Sequence, residues 1–275
     1  GGRAVSATRP TGGQIRPEPI TIGPGIWRVG GGSWGGVSRC ISSEEDANAY
    51  LLDLGGATVL VDAGTETGFE AVRTNMQMAG TDPNSLTDIL ITHSHWDHTQ
   101  AAASWQRRCS ARTHLNAVGA EFLARGDHRL VGHHLHGPRY VFEPFRVDHA
   151  ASDGEQFPLG RASLTTRTLP GHSPDSTLYT FQHAGAQVAV GGDLVFGPRE
   201  SGTFVLGQLC SLWLSNLDDY VASLERMRDL TIDVLLPGHG EPISGRSRVR
   251  DAIVETLGVA RVLAGDTNVR GNCGV

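Results

Sequence analysis

The sequence predicts an α/β fold, and three observations predict it. Short apolar runs of strand length alternate with longer segments of helical period. Strand–strand–helix order recurs in both halves of the chain. Several of the strand-like runs end in a turn that delivers a metal-competent side chain, at His93, His172, Asp193 and His239.

Taken in order, residues 1–25 are rich in Gly, Pro, Thr and Arg and read as an extended lead-in. Ile26 to Val29 is a short strand running into Gly30-Gly31-Gly32-Ser33-Trp34-Gly35-Gly36, a loop with one large apolar tip. Such a loop is either a flap over a pocket or a plain turn. Ala49 to Leu52 and Thr58 to Val61 flank Gly55-Gly56, a two-residue hairpin signal. Residues 68–80 carry Phe69, Val72, Met76 and Ala79 on one helical face, with Gly80 as the stop. Leu86 to Thr92 is a strand and Gln100 to Arg108 a helix. Ala111 to His114 reads as a strand, followed by a helix through Arg125.

Residues 126–144 have no clean period and read as a lid-like or solvated segment; they hold His128, His133, His134 and His136. Arg161 to Leu169, Leu178 to Phe181 and Val188 to Val190 are strands. Asn216 caps a helix through Arg228. Ile232 to Leu236 is the next strand, and a helix from about Arg246 to Ala264 packs Val249, Ile253, Leu257, Ala260 and Val262 on the body.

Composition narrows the function. A chain of 275 residues with 39% hydrophobic and 19% charged content is long enough for a full core. Its net charge of −6 argues against a nucleic-acid surface, which wants a basic patch. No apolar run approaches the roughly 18 residues of a membrane span. All 23 basic residues are arginine, which excludes a catalytic lysine and leaves arginine as the only strong clamp for an anion. Cys40, Cys109, Cys210 and Cys273 are too few and too far apart for a disulfide scaffold, and Cys109 and Cys210 read as buried thiols. The cytoplasm is favoured, but a start at Gly1-Gly2 is compatible with a signal peptide already removed.

The densest chemistry lies in Thr92-His93-Ser94-His95-Trp96-Asp97-His98-Thr99, directly after Ile89-Leu90-Ile91. Ligands on a turn at a strand end let His93 and His95 hold one ion while Asp97 and His98 face a second. Imidazole with carboxylate suits zinc, and also iron or manganese.

With Asp62 at a strand end, Pro170-Gly171-His172, Gly192-Asp193 and Pro237-Gly238-His239-Gly240, this motif resembles the metallo-β-lactamase superfamily over residues of about 26 to 245. The resemblance implies a four-layer αββα sandwich, a single domain over 26–275 that ends in a helix. It implies two Zn²⁺ ions, one held by His93, His95 and His172, the other by Asp97, His98 and His239, with Asp193 and a hydroxide bridging. Two divalent ions against two carboxylates and a hydroxide leave about +1, suited to an anionic transition state. Asp97 would orient the nucleophile or relay its proton, and Asp62 would support the ligands from behind.

Departures from particular branches refine the expectation. His95 stands where the oxygen-reducing flavodiiron relatives carry Glu, which favours zinc and hydrolysis. Asp193 stands where the β-lactamases of this fold carry Cys or Ser. It resembles instead glyoxalase II, the acyl-homoserine lactonases and other hydrolases. Residues 240–275 have room for about one helix, short of glyoxalase II's glutathione-binding region. Leu194, Val195 and Phe196 stand where the lactonases place a Tyr; Tyr140 or Tyr179 could substitute. No basic arm of the nuclease branch is visible.

The expected function is a dinuclear zinc hydrolase of a small-molecule ester-type bond, such as a lactone or thioester. Trp34, Trp96, Phe196, Trp213 and the 126–144 segment would wall its pocket, along with the apolar run Phe204, Leu206, Leu209 and Leu212. The alternatives are a β-lactamase-like amidohydrolase, a phosphodiesterase of the same fold, and a non-catalytic metal-binding scaffold. Substrate and oligomeric state stay open.

Overall fold

A computed structural model of the protein describes residues 15, 17–33, 39–136, 140–199, 207 and 209–265. The first half builds one sheet. Strands β1 (Ile20–Gly23), β2 (Ile26–Gly30), β3 (Ala49–Asp53) and β4 (Thr58–Val61) form an antiparallel meander. Helix α1 (Phe69–Met78) then crosses over to β5 (Asp88–Leu90), which lies parallel to β4. A helical turn, α2 (Trp96–Thr99), and helix α3 (Ala102–Arg108) lead to β6 (Arg112–Asn116). Helix α4 (Ala117–Ala124) and the segment after it lead to β7 (His149–Ala151), again parallel to its neighbour.

The second half builds the other sheet. Strands β8 (Gln156–Leu159), β9 (Ala162–Thr168), β10 (Thr177–His183) and β11 (Ala186–Gly192) are antiparallel. Helix α5 (Leu217–Arg228) crosses to β12 (Val234–Pro237), parallel to β11. The short β13 (Ile243–Ser244) and helix α6 (Arg246–Gly265) follow. Among the described residues the sheets have seven and six strands, in the orders β1-β2-β3-β4-β5-β6-β7 and β13-β12-β11-β10-β9-β8.

Side-chain alternation assembles the layers. On β4, Val59 and Val61 face the other sheet while Leu60 faces the helices; on β11, Val188 and Val190 face inward and Ala189 outward. The inner layer joins Tyr50, Leu52 and Leu90 of the first sheet to Tyr179, Phe181 and Leu236 of the second. Outside it, Val72, Met76 and Trp105 cover the first sheet, and Tyr220, Leu224, Ile253 and Leu257 cover the second. Both faces of each sheet are covered, which is why the central strands are almost wholly apolar. The architecture is therefore an α/β sandwich of two mixed sheets between helices, as expected.

The hairpin at Gly55-Gly56 forms as its sequence predicts. Both glycines take positive φ (+65° and +106°), and Leu54 N–H donates to Ala57 O. Other expectations need correction. Residues 20–23 of the lead-in form β1. Strands β7, β8 and β13 escape sequence reading because they are short edge elements, and β8 carries Pro158. Val262 is 72% exposed, off the face on which Val249, Ile253, Leu257 and Ala260 are buried. Within the 126–144 segment Leu130 and Val131 are buried anchors, Trp96 N–H donates to Val131 O, and Val141 is exposed.

Candidate metal centre

Strands β4 and β5 run parallel, and β9, β11 and β12 share one direction in the other sheet. The residues that follow them meet on one rim. Asp62 follows β4, His93 to His98 follow β5, His172 follows β9, Asp193 follows β11, and His239 follows β12.

The rim gathers all seven expected side chains into two adjoining groups. Ligand atoms of His93, His95, His172 and Asp193 lie within 4.8 Å of one another, as do those of Asp97, His98 and His239. In the first group His95 Nδ1 is 3.1 Å from His93 Nε2 and 2.9 Å from His172 Nε2. In the second, Asp97 Oδ2 is 3.2 Å from His239 Nε2 and 3.7 Å from His98 Nε2. Asp193 joins the two: Oδ2 is 3.3 Å from His172 Nε2 and 3.5 Å from His239 Nε2, and Oδ1 is 3.4 Å from His98 Nε2. Ligands about 2.0–2.1 Å from a tetrahedral ion stand roughly 3.3 Å apart, so these spacings suit a metal. Buried atoms without a hydrogen-bond partner point the same way, His98 Nε2 and Asp193 Oδ1 among them.

The charge state follows from burial and neighbours. Burial, with the other imidazoles beside them, pushes His93 and His95 well below the ordinary histidine range, and burial lowers His172 too. Burial also disfavours charge on His98 and His239. There the carboxylates win, Asp97, Asp193 and Asp62 on His98 and Asp193 with Asp97 on His239, and both are held above the ordinary range. Burial pushes Asp97 and Asp193 upward, but the histidines outweigh it and hold both low. The first group thus favours neutral imidazoles, and the second surrounds its two histidines with ionised carboxylates.

Support comes from behind the cluster. Asp62 adopts φ +56°, one of three positive-φ non-glycine residues among those described, and aims its carboxylate at the motif turn. It accepts from Thr92 N–H (2.8 Å), Thr92 Oγ1 (2.8 Å) and His98 Nδ1–H (2.8 Å). That bond fixes the tautomer that leaves His98 Nε2 free to ligate. Thr92 Oγ1, 3.1 Å from His93 Nδ1, orients that ring similarly.

Three supports were not legible in the sequence. Asn48 Nδ2 donates to Pro237 O (3.0 Å) and Gly240 O (2.8 Å), and Tyr50 O–H donates to Pro237 O (2.7 Å), together gripping the His239 turn. Asp175 accepts from Ser94 Oγ and Ser173 Oγ. A polar residue beside each ligand histidine was the only available signal for the last.

The expected pocket residues divide. The Trp213 ring lies 5.2 Å from that of His95, and the Phe196 ring 4.9 Å from that of His239, so two aromatics flank the cluster. Trp96 instead belongs to the apolar core with Val131, Phe142 and Phe145, its ring 4.9 Å from Tyr140. Trp34, Phe204 and Leu206 lie outside the described residues. Tyr179 is fully buried and donates to Ile91 O, so it does not serve as an electrophile. Tyr140 O–H is bonded to Glu45. His128 and His133 belong to neither metal-competent group, and the side chains of His134 and His136 lie outside the described set. Cys109 and Cys210 are buried free thiols, as expected; Cys273 lies outside the described residues.

A family model described as the metallo-beta-lactamase superfamily matches residues 43–239. The chain belongs to the metallo-β-lactamase superfamily.

Similar proteins include an atrochrysone carboxyl ACP thioesterase of Aspergillus fumigatus, 25% identical over 228 residues (82% of this chain, 59% of that protein). A thioesterase of Emericella nidulans is 26% identical over 72% of this chain and 47% of its own length. The chain therefore spans about half the length of the curated relatives it matches. Among superfamily structures, a Cronobacter sakazakii metallo-β-lactamase superposes with a TM-score of 0.70 at 20% identity, covering 93% of this chain and all (100%) of that one. A subclass B3 enzyme of Bradyrhizobium japonicum gives 0.68 at 21%, covering 91% and 96%. These two likenesses concern the fold alone.

Proposed function

We propose that the protein is a dinuclear zinc hydrolase of a small-molecule ester-type bond, a lactone, thioester or related acyl compound. The observation that carries this reading is the place of Asp193, whose two oxygens lie 3.3–3.5 Å from histidines of both groups. One carboxylate shared between two nitrogen-rich sites suits two divalent ions better than one. Zinc fits the His-rich donor set, and the same set would also accept iron or manganese.

Bound ions of this kind polarise a carbonyl and lower the pKa of a water toward about 7. The chain's own residues supply the rest. His93, His95 and His172 are held neutral and ready to ligate. Asp97 has the more exposed side chain of the two site carboxylates, at 14% against 6% for Asp193. That exposure supports Asp97 as the group that would orient a nucleophilic water and carry its proton toward the leaving group. The rings of Trp213 beside His95 and Phe196 beside His239 favour an acyl or aromatic substrate over a phosphodiester. The thioesterase names of two relatives agree with that choice.

Elemental analysis of purified protein, with a panel of lactones, thioesters, nitrocefin and bis(p-nitrophenyl) phosphate, tests the reading. The expected outcome is about two zinc per chain with turnover of lactones or thioesters. Asp193→Ala should fold, yet lose roughly a hundred- to a thousandfold in activity, on the scale of deleting a group that serves the transition state. Full activity in a folded Asp193→Ala protein would sink the dinuclear reading. Fast nitrocefin turnover would favour the amidohydrolase alternative, and phosphodiester cleavage alone the phosphodiesterase. Metal without turnover of any substrate would favour the scaffold.

A further inference from the structure

We propose that Asp175 is a positioning residue that locks the two ligand turns of the three-histidine site together across the two sheets. The inference rests on the reading of His93, His95 and His172 as metal ligands and adds a determinant that those ligands do not themselves contain. Ser94, between His93 and His95, donates its hydroxyl to Asp175 Oδ2 at 2.5 Å. Ser173, next to His172, donates to Asp175 Oδ1 at 2.8 Å. One carboxylate thus takes one hydroxyl from each ligand turn, one turn following β5 of the first sheet and the other following β9 of the second.

The surroundings make this a built joint. Asp175, Ser94 and Ser173 are each no more than 1% exposed. Ser173 Oγ also lies 2.9 Å from Ser176 Oγ, and Thr177 N–H donates to Thr92 O at 3.0 Å, so the joint continues into the strands. Helix α4 closes over it at Gly119, where a Cβ would stand 2.5 Å from Asp175 Oδ2 and 2.9 Å from Ser94 Oγ. A buried carboxylate with no arginine or histidine bonded to it is costly. Burial accordingly pushes Asp175 above the ordinary carboxylate range, against the bonds from Ser94 and Ser173. Fixing both turns offsets that cost with a preformed site. The other group has supports of its own, Asp62 on His98 and Asn48 with Tyr50 on the His239 turn.

The test is a two-site zinc titration of the full chain in competition with a chromophoric chelator. Asp175→Ala should weaken one site by about 10- to 100-fold, the usual effect of losing an outer-shell partner, and leave the other within about threefold. Asp175→Asn should recover much of the loss, because serine hydroxyls can either donate to or accept from the amide. Gly119→Ala, which lies in neither turn, should weaken the same site as Asp175→Ala and serves as the second variant should Asp175→Ala fail to fold. Equal weakening of both sites, or no weakening in wild-type-like folded variants, would overturn the proposal. A wild-type protein that binds no zinc would overturn the ligand reading along with it.

Discussion

At the scale of single residues, carboxylates in this protein differ by what surrounds them. Asp97 and Asp193 face histidines and are held low; Asp175 and Asp46 are buried among hydroxyls and are pushed up. Asp46 accepts from Ser42 Oγ, Thr65 N–H and Thr65 Oγ1, with Asp97 nearby, and burial raises it to about 6. Its folded pKa lies above the unfolded value of about 3.9, so the folded state holds the extra proton between the two. Its contribution to stability is full below about pH 4 and is lost as pH rises through about 6. At roughly 1.4 kcal/mol per unit the swing is about 3 kcal/mol. Denaturant unfolding of metal-free wild type and Asp46→Asn, compared from pH 4 to 7, should show the variant gaining relative to wild type across that window. A pH-independent difference would contradict the assignment.

Elements act through the turns that end them. The turn after β12 succeeds because residue 238 has no side chain: a Cβ there would stand 2.2 Å from Asp193 Oδ1 and 2.7 Å from His98 Cε1. Gly238 N–H donates to Gly192 O at 2.7 Å, stitching the ends of two parallel strands beneath the cluster. Gly258, inside α6, meets nothing within 4 Å. The same substitution should therefore act in opposite directions. Gly238→Ala should displace Asp193 or His98 and cost most of the metal affinity, read by zinc titration. Gly258→Ala should stabilise the helix by about 0.5–1 kcal/mol, read by chemical unfolding.

The whole molecule is a sandwich whose two sheets each supply part of the candidate metal centre. His93, His95, Asp97 and His98 come from one, and His172, Asp193 and His239 from the other. Anything that binds both sets ties the sheets together, over and above the inner layer of Leu52, Leu90, Val190 and Leu236. An ion present at 100 times its Kd adds about 2.7 kcal/mol per site if it binds only the folded chain. Chelation should therefore lower the unfolding midpoint in a metal-dependent, reversible way, and zinc should restore it. An unchanged midpoint by calorimetry would mean that the cluster does not couple the sheets.

Short-range patterns in the sequence were enough for much of this. The hairpin at Gly55-Gly56, the helix capped by Asn216 and the turns that carry the candidate ligands are written in spacings of a few residues, because turn geometry and metal chemistry act locally. Asn216 Oδ1 accepts from the backbone N–H groups of Asp218 and Asp219 as its position predicts. Partnerships across the sandwich were not legible. Ser94 meets Asp175 81 residues away and Asn48 meets Gly240 192 residues away, while Trp96 enters the core and Tyr179 turns to Ile91. Local pattern says which residues a strand end can present. Which of them meet depends on the register between strands and on how the sheets stack, and in a strand a slip of one residue turns every side chain to the opposite face.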